Sequence, residues 1–198
     1  MSEVVLYHHV QGLTEGVRSF AEELTRAEHT VHTPDLFDGR TFGTIEEGIA
    51  FARNEGFGAL TERGVAAAEE LDPELVYAGF SFGAGIAQQL AQTRPGARGA
   101  LLLYSCLPVS EFGDAWPEGV PVQVHGKDGD PFFAEDLEAA QALLASTDQA
   151  ELFLYPGEEH LFADSSLPAY DAAAAALLTE RVLAFLDAVE ADDTPTTD

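Results

Sequence analysis

Short apolar runs of strand length alternate with longer amphipathic stretches along nearly the whole chain, and this alternation constrains the fold most. Strands are predicted over residues 3–7, 30–33, 75–78, 100–104, 120–125 and 151–155. Helices are predicted over 16–27, 45–53, 60–71, 84–93, 135–145 and 171–189. In the first helix Val17, Phe20, Ala21 and Leu24 share one face, while Pro34 ends the second strand and Pro73 follows the third helix. Such a pattern predicts one α/β domain over residues 1–190. Its sheet is mostly parallel, of about six strands, with helices on both faces. Residues 191–198 are polar, acidic and carry Pro195, and are expected to form a disordered tail. In sheets of this kind ligands bind at the carboxyl ends of the strands, so reactive residues are sought there.

Composition limits the partners. Asp and Glu number 35 against 9 Lys and Arg, a formal net charge of −26. That field repels nucleic acid and anionic membranes, so neither is expected as a partner. It also destabilises a compact chain unless salt screens it. Adaptation to a salt-rich cytoplasm is one reading; an acid-rich proteome in an ordinary cell is the other. The first eight residues lack the basic region of a secretory signal, and no apolar run approaches the roughly 18 residues of a membrane helix. Cys106 is the single cysteine, so no internal disulfide can form and a cytoplasmic setting is expected.

The segment Gly79-Phe80-Ser81-Phe82-Gly83 lies directly after a predicted strand and directly before a predicted helix. This is the G-x-S-x-G pattern of a nucleophile elbow. A serine on so tight a strand-to-helix turn has a strained backbone, and glycines two residues to either side remove side chains that would clash. Among six histidines, His160 occupies the loop between the last strand and the closing helix. There an imidazole can take a proton from Ser81 and return it to a leaving group. The acid is expected after the preceding strand, where Asp128 and Asp130 compete. Asp130 stands in the last position before the Pro131-Phe132-Phe133 entry to the next helix and is favoured. Asp128, between Lys127 and Gly129, reads as a turn residue paired with that lysine. The order serine, acid, histidine is that of the α/β-hydrolase fold.

With these loops placed, the chain resembles the dienelactone hydrolase family, a family of small α/β-hydrolases. The likeness runs from Leu6-Tyr7-His8-His9-Val10-Gln11-Gly12 to residues 181–186. Thr33-Pro34-Asp35-Leu36-Phe37, the elbow, and His160-Leu161-Phe162-Ala163-Asp164 carry it best. The resemblance implies a Ser81, Asp130, His160 triad. It also implies an oxyanion hole from the backbone N–H groups of Phe82 and Val10, and places His9 as a polar residue beside the nucleophile that contacts substrate. The best-known members use cysteine in the elbow, where this chain has serine. For a substrate carboxylate the resemblance offers Arg40; a surface charge at the start of a helix is the competing reading.

Trp116, Phe132, Phe133 and Phe162 fall in loops expected at the carboxyl ends, with Trp116 and Phe132 taken as candidate pocket residues. Core packing is an equal reading for each. Neighbouring His8 and His9 point to opposite sides, as do His29 and His32, so no metal site is expected. Glu158 and Glu159 would raise the pKa of His160 if they lay close to it. The expected function is hydrolysis of a small ester or lactone through an acyl-serine, with no cofactor. A thioesterase or acyltransferase on the same triad, or a non-catalytic binding protein of this fold, are the rivals. Nothing in the sequence decides between monomer and dimer.

Overall fold

Consecutive residues of a strand face opposite sides of its sheet, so a strand apolar at every position must be covered on both faces. Val4, Val5, Leu6 and Tyr7 are all completely buried. They belong to β1 (Glu3–Tyr7) of a computed structural model that describes residues 1–192. The other strands are β2 (Thr30–His32), β3 (Val76–Phe80), β4 (Gly99–Leu103), β5 (Val122–Lys127) and β6 (Ala150–Tyr155). They form one six-stranded sheet in the order β2-β1-β3-β4-β5-β6, every pairing parallel. This is the α/β architecture that the alternation predicts.

Six helices cover the sheet: α1 (Glu15–Arg26), α2 (Ile45–Glu55), α3 (Phe57–Glu69), α4 (Phe82–Thr93), α5 (Phe133–Ser146) and α6 (Ala172–Asp192). On one face Val5 and Tyr7 pack in a core with Ala52 of α2, Leu60 of α3, Ile86 of α4 and Leu143 of α5. On the other face Val4 and Leu6 join Val17 and Leu24 of α1 and Leu178 and Val182 of α6. Both faces are therefore dry, as a parallel sheet requires.

Local signals set most boundaries. Thr14 caps α1 by accepting from Val17 N–H, and Thr44 caps α2 by accepting from Glu47 N–H. Asp171 accepts from Ala173 and Ala174 N–H at the start of α6. α3 begins three residues before its predicted start, because Gly56, at φ 90°, turns the chain sharply enough for α3 to follow α2 at once. α6 continues through Asp192, into the segment expected as a tail. The remainder of that segment, residues 193–198, lies outside the described residues.

β1 has β2 on one side and β3 on the other. The chain leaves β1 in one direction and returns past it in the other, so the loops after β1 and β3 diverge. The crevice at such a reversal is the preferred ligand site of open α/β sheets. Residues 8–14 and Ser81 border it.

Candidate active site

Ser81 follows β3 without a spacer and serves as N-cap of α4, with φ 51° and ψ −111°. A positive φ at a residue with a side chain costs about 1–3 kcal/mol and persists only where surroundings enforce it. One restraint is the Ser81 N–H, which donates to the Leu103 carbonyl at the end of β4 at 2.6 Å. The flanking glycines act separately. A Cβ on Gly79 would strike the Gly83 carbonyl across the turn; one on Gly83 would strike the Tyr7 and His8 carbonyls at the end of β1. Gly83 thus lets α4 approach β1, which no local reading of the turn would show.

His160 Nε2 stands 2.8 Å from Ser81 Oγ, and His160 Nδ1 stands 2.6 Å from Asp130 Oδ2. An ionised carboxylate can only accept, so these partners assign the ring proton to Nδ1 and leave Nε2 to accept from the serine hydroxyl. Asp130 is 1 % exposed. Its second oxygen accepts from Phe132 N–H at 2.9 Å, which fixes the orientation of the carboxylate. Asp128 does not reach His160; it is exposed and accepts from Gly157 N–H at 3.2 Å.

The expected pairing of Asp128 with Lys127 is corrected. Lys127, the only lysine of the chain, is 2 % exposed and donates to Glu159 at 2.6 Å and to Asp171 at 2.8 Å. It also sits over the Phe162 ring at 5.2 Å. Burial opposes the ammonium charge, but hydrogen bonds to Asp171 and Glu159 outweigh it and hold the pKa above the usual lysine value. Asp128 turns away because its backbone N–H pairs with the Tyr155 carbonyl and its carboxylate with Gly157, zipping the acid loop to the base loop. Glu159, expected to act on His160, is instead committed to Lys127, whose hydrogen bond holds the Glu159 carboxyl below its usual range.

His9, expected as a substrate contact, is completely buried. Its Nε2 lies 2.8 Å from Asp164 Oδ2, and its Nδ1 accepts from Gln11 N–H at 3.2 Å. Both nitrogens are engaged within the protein, so in this conformation no face of the ring is offered to a ligand. Asp164 also accepts from Thr14 Oγ1 and from Ser166. Burial works against its charge, but these hydrogen bonds prevail and the carboxyl is held below its usual range. A network fixed to the base loop therefore anchors the loop that carries Val10. Asp164 lies within the segment that carries the family resemblance, yet nothing in its spacing announces His9 as partner. His8 is also buried; it donates through Nδ1 to the His9 carbonyl and accepts from Leu36 N–H. Burial pushes its pKa down to about 4.

The remaining candidates separate. Phe82 and Val10 border the crevice, and among the described residues neither backbone N–H has an acceptor. Phe132 places its ring 4.8 Å from that of His160 and is 43 % exposed. The Arg40 guanidinium lies over the Phe51 ring at 5.2 Å, on the exposed side of the loop that packs on Gly12. Trp116 is corrected: it is buried, donates to the Val120 carbonyl at 2.7 Å just before β5, and so lies toward the amino end of that strand. It lines a cavity of about 540 Å³ between α5 and the loop 108–116, and neither Ser81 nor His160 borders that cavity. Phe133 and Phe162 are core residues. Cys106 is buried, and burial pushes its thiol up to about 12. Tyr104, which no sequence signal singled out, supports His160 from below, with ring centroids 5.7 Å apart.

Among the described residues no group of three or more His, Cys, Asp or Glu side chains is placed to hold a metal ion, and no helix is long and apolar enough to cross a membrane. No curated protein matches the sequence. Solved structures share the fold. A dienelactone hydrolase-like promiscuous phosphotriesterase, P91, from metagenomic libraries superposes with TM-score 0.77 at 20 % identity, covering 96 % of this chain and 87 % of its own. A dienelactone hydrolase from Anabaena variabilis gives TM-score 0.62 at 17 % identity, over 95 % and 86 %. The esterase of the archaeon Pyrobaculum calidifontis gives 0.69 at 15 % identity, over 96 % and 75 %. The profile of the dienelactone hydrolase family matches residues 1–190. The chain belongs to the dienelactone hydrolase family of α/β-hydrolases.

Proposed function

We propose that the protein hydrolyses small carboxylic esters or lactones through an acyl-serine intermediate. The observation that carries this reading is the unbroken hydrogen-bonded series from Ser81 Oγ through His160 to Asp130, at 2.8 and 2.6 Å, beside the crevice where the sheet order reverses. Ser81 Oγ attacks the ester carbonyl carbon as His160 Nε2 takes its proton. Asp130 keeps the Nδ1 proton in place and stabilises the imidazolium that forms. The carbonyl oxygen becomes an oxyanion, which accepts hydrogen bonds from the N–H groups of Phe82 and Val10. Its collapse breaks the ester bond, and the leaving alkoxide takes the proton from Nε2. Water, deprotonated by His160, then attacks the acyl-serine, releasing the acid and restoring Ser81. His9 contributes from beneath, holding the Val10 loop to the base loop through Asp164.

A fluorophosphonate probe tests the reading directly. Wild-type protein is expected to be labelled and to release p-nitrophenol from p-nitrophenyl butyrate, and Ser81→Ala to do neither. Equal labelling of Ser81→Ala, or none of the wild type in low or molar KCl, would refute it.

A further inference from the structure

Every parallel crossover of the sheet but one carries an α-helix. The exception joins β4 to β5, where residues 104–121 hold a single 3₁₀ turn, Val109–Glu111. A helix in that connection would pack between α4 and α5 on the sheet face they cover. The loop 108–116 fills that place in part, and between it and α5 lies the cavity of about 540 Å³. Its volume is that of a small-molecule site, and Ser81 does not border it.

On α5 the wall is a single stripe: Glu135, Glu138, Ala139, Ala142, Leu143 and Ser146 follow the three- and four-residue spacing of one helix face. Ala139 and Ala142, small residues in the middle of the stripe, form the hollow. Val109 and Trp116 face them from the loop. The indole N–H of Trp116 is engaged with the Val120 carbonyl, so the ring offers apolar surface rather than a donor.

The charged part of the lining is acidic throughout. Among the described residues the carboxylates of Asp114, Glu135 and Glu138 have no hydrogen-bond or ion-pair partner. Asp136 accepts from the Ser105 hydroxyl and Cys106 N–H through one oxygen. None of the nine Lys and Arg residues lines the cavity. Arg18, Arg26 and Arg181 are on α1 and α6, across the sheet. Arg53 and Arg63 are on α2 and α3, on the far side of α4. Arg94 turns toward the end of α3 and donates to the Leu71 carbonyl. Arg98 borders clefts shared with Glu74, Arg40 lies over Phe51, and Lys127 is held by Glu159 and Asp171. The N-terminal end of α5 would by itself favour an anion, and Glu135 and Asp136 in its first turn reverse that preference. A second copy of the chain would bring another −26 to this rim, so self-association here is opposed.

We infer that this cavity is a binding site, separate from Ser81, for a small organic cation: an ammonium group on an aryl or alkyl body. The apolar part packs against Trp116, Ala139 and Ala142, and the ammonium is held by Glu135, Glu138 and Asp114. The inference is independent of the acyl-serine reading.

Trp116 is the only tryptophan of the chain, so its emission reports on this wall alone. Titration with 2-phenylethylamine is expected to change that emission saturably, with one ligand per chain by calorimetry. 3-Phenylpropionate, similar in size and opposite in charge, is expected to bind about tenfold more weakly or worse. Methylammonium, which has the charge without the ring, is expected not to compete at equal concentration; this separates the cavity from the general attraction of an acidic chain for cations. Glu135→Gln combined with Glu138→Gln is expected to raise Kd about fivefold. Ala142→Arg, which fills the hollow and adds a cation, is expected to abolish binding; Ala142 is exposed, and the unfolding temperature of each variant checks its fold. In molar KCl saturation is expected to persist with a smaller advantage of amine over carboxylate. Binding that does not saturate, equal affinity for 3-phenylpropionate, equal competition by methylammonium, or an unchanged Kd in the folded variants would overturn the inference. So would a Trp116 emission that changes with protein concentration in step with dimer formation, since a second copy would then cover the groove.

Discussion

The ammonium of Lys127 donates at 2.6 Å to Glu159, the residue immediately before His160, and so ties the end of β5 to the loop that presents the base. A second bond, at 2.8 Å to Asp171, ties both to the start of α6. The cation is 1 % exposed by side chain, its partners 50 % and 37 %. Removing the two ends is therefore not equivalent. Glu159→Gln combined with Asp171→Asn leaves the buried ammonium without a counter-charge and is expected to be the more destabilising of the two changes. Lys127→Met leaves two carboxylates that water can reach and is expected to cost less. It should instead lower kcat about tenfold, by loosening the base loop. Denaturant titration and steady-state kinetics of both variants check this; equal stability losses would contradict it.

Only Asp130 reaches His160, so the two nearby aspartates should respond differently to the same change. Asp130→Asn is expected to lower kcat by roughly 10³- to 10⁴-fold, because the amide no longer enforces the Nδ1 proton. Asp128→Asn retains an oxygen that can accept from Gly157 N–H and should stay within a few fold of wild type. Activity that survives the first change and not the second would reverse the assignment.

A methyl group added at Gly83 has nowhere to go, since the Tyr7 and His8 carbonyls occupy the space. Gly83→Ala is expected to destabilise by about 3 kcal/mol or more, since backbone cannot yield as a side chain can. Gly58, inside α3, has nothing within 4 Å of the added atom. Gly58→Ala is expected to stabilise by about 0.5–1 kcal/mol through helix propensity. Thermal unfolding of the pair provides the comparison.

Acid should weaken the fold before it protonates most carboxylates. Burial lowers the pKa of His8 to about 4 and that of His125 to about 3, against 6.5 for the exposed group. Between those values the unfolded chain binds more protons, so stability is fully present above about pH 6.5 and falls as pH drops. Each histidine contributes a loss of about 1.4 kcal/mol per pH unit until its folded value is reached. For His8 the cause is visible, because a protonated ring could no longer accept from Leu36 N–H. Denaturant midpoints that stay level between about pH 7 and pH 5 would contradict this.

A net charge of −26 on 198 residues repels itself at low ionic strength. The unfolding temperature is expected to rise from low to molar KCl, since screening reduces that repulsion. An unchanged or lower value would show that the acid excess is not an adaptation to salt.

The six strands and their helices were legible because each is a local pattern with its own period and its own stop signal. Errors were confined to ends, as at Gly56, where a positive φ starts α3 early. Ser81, Asp130 and His160 were legible for a related reason: the elbow is a contiguous motif, and the other two occupy the loops after successive strands. Their side chains meet because parallel strands deliver those loops to one edge.

What lay beyond the sequence is contact between side chains far apart in the chain. Whether Lys127 takes Asp128 or Glu159, and whether His9 faces substrate or Asp164, depends on how loops from β1, β5 and β6 settle against one another. Trp116 sits in a loop that could serve either end of the sheet, and only its hydrogen bond to Val120 places it at the amino end. Phe57 reaches Phe82 only because α3 packs beside α4. The sequence by itself determined the strand–helix order and the residues that follow each strand, since these depend on local periodicity and turn chemistry. The tertiary structure decided which polar groups are buried together and which apolar surfaces are left uncovered, since burial is a property of the packed whole.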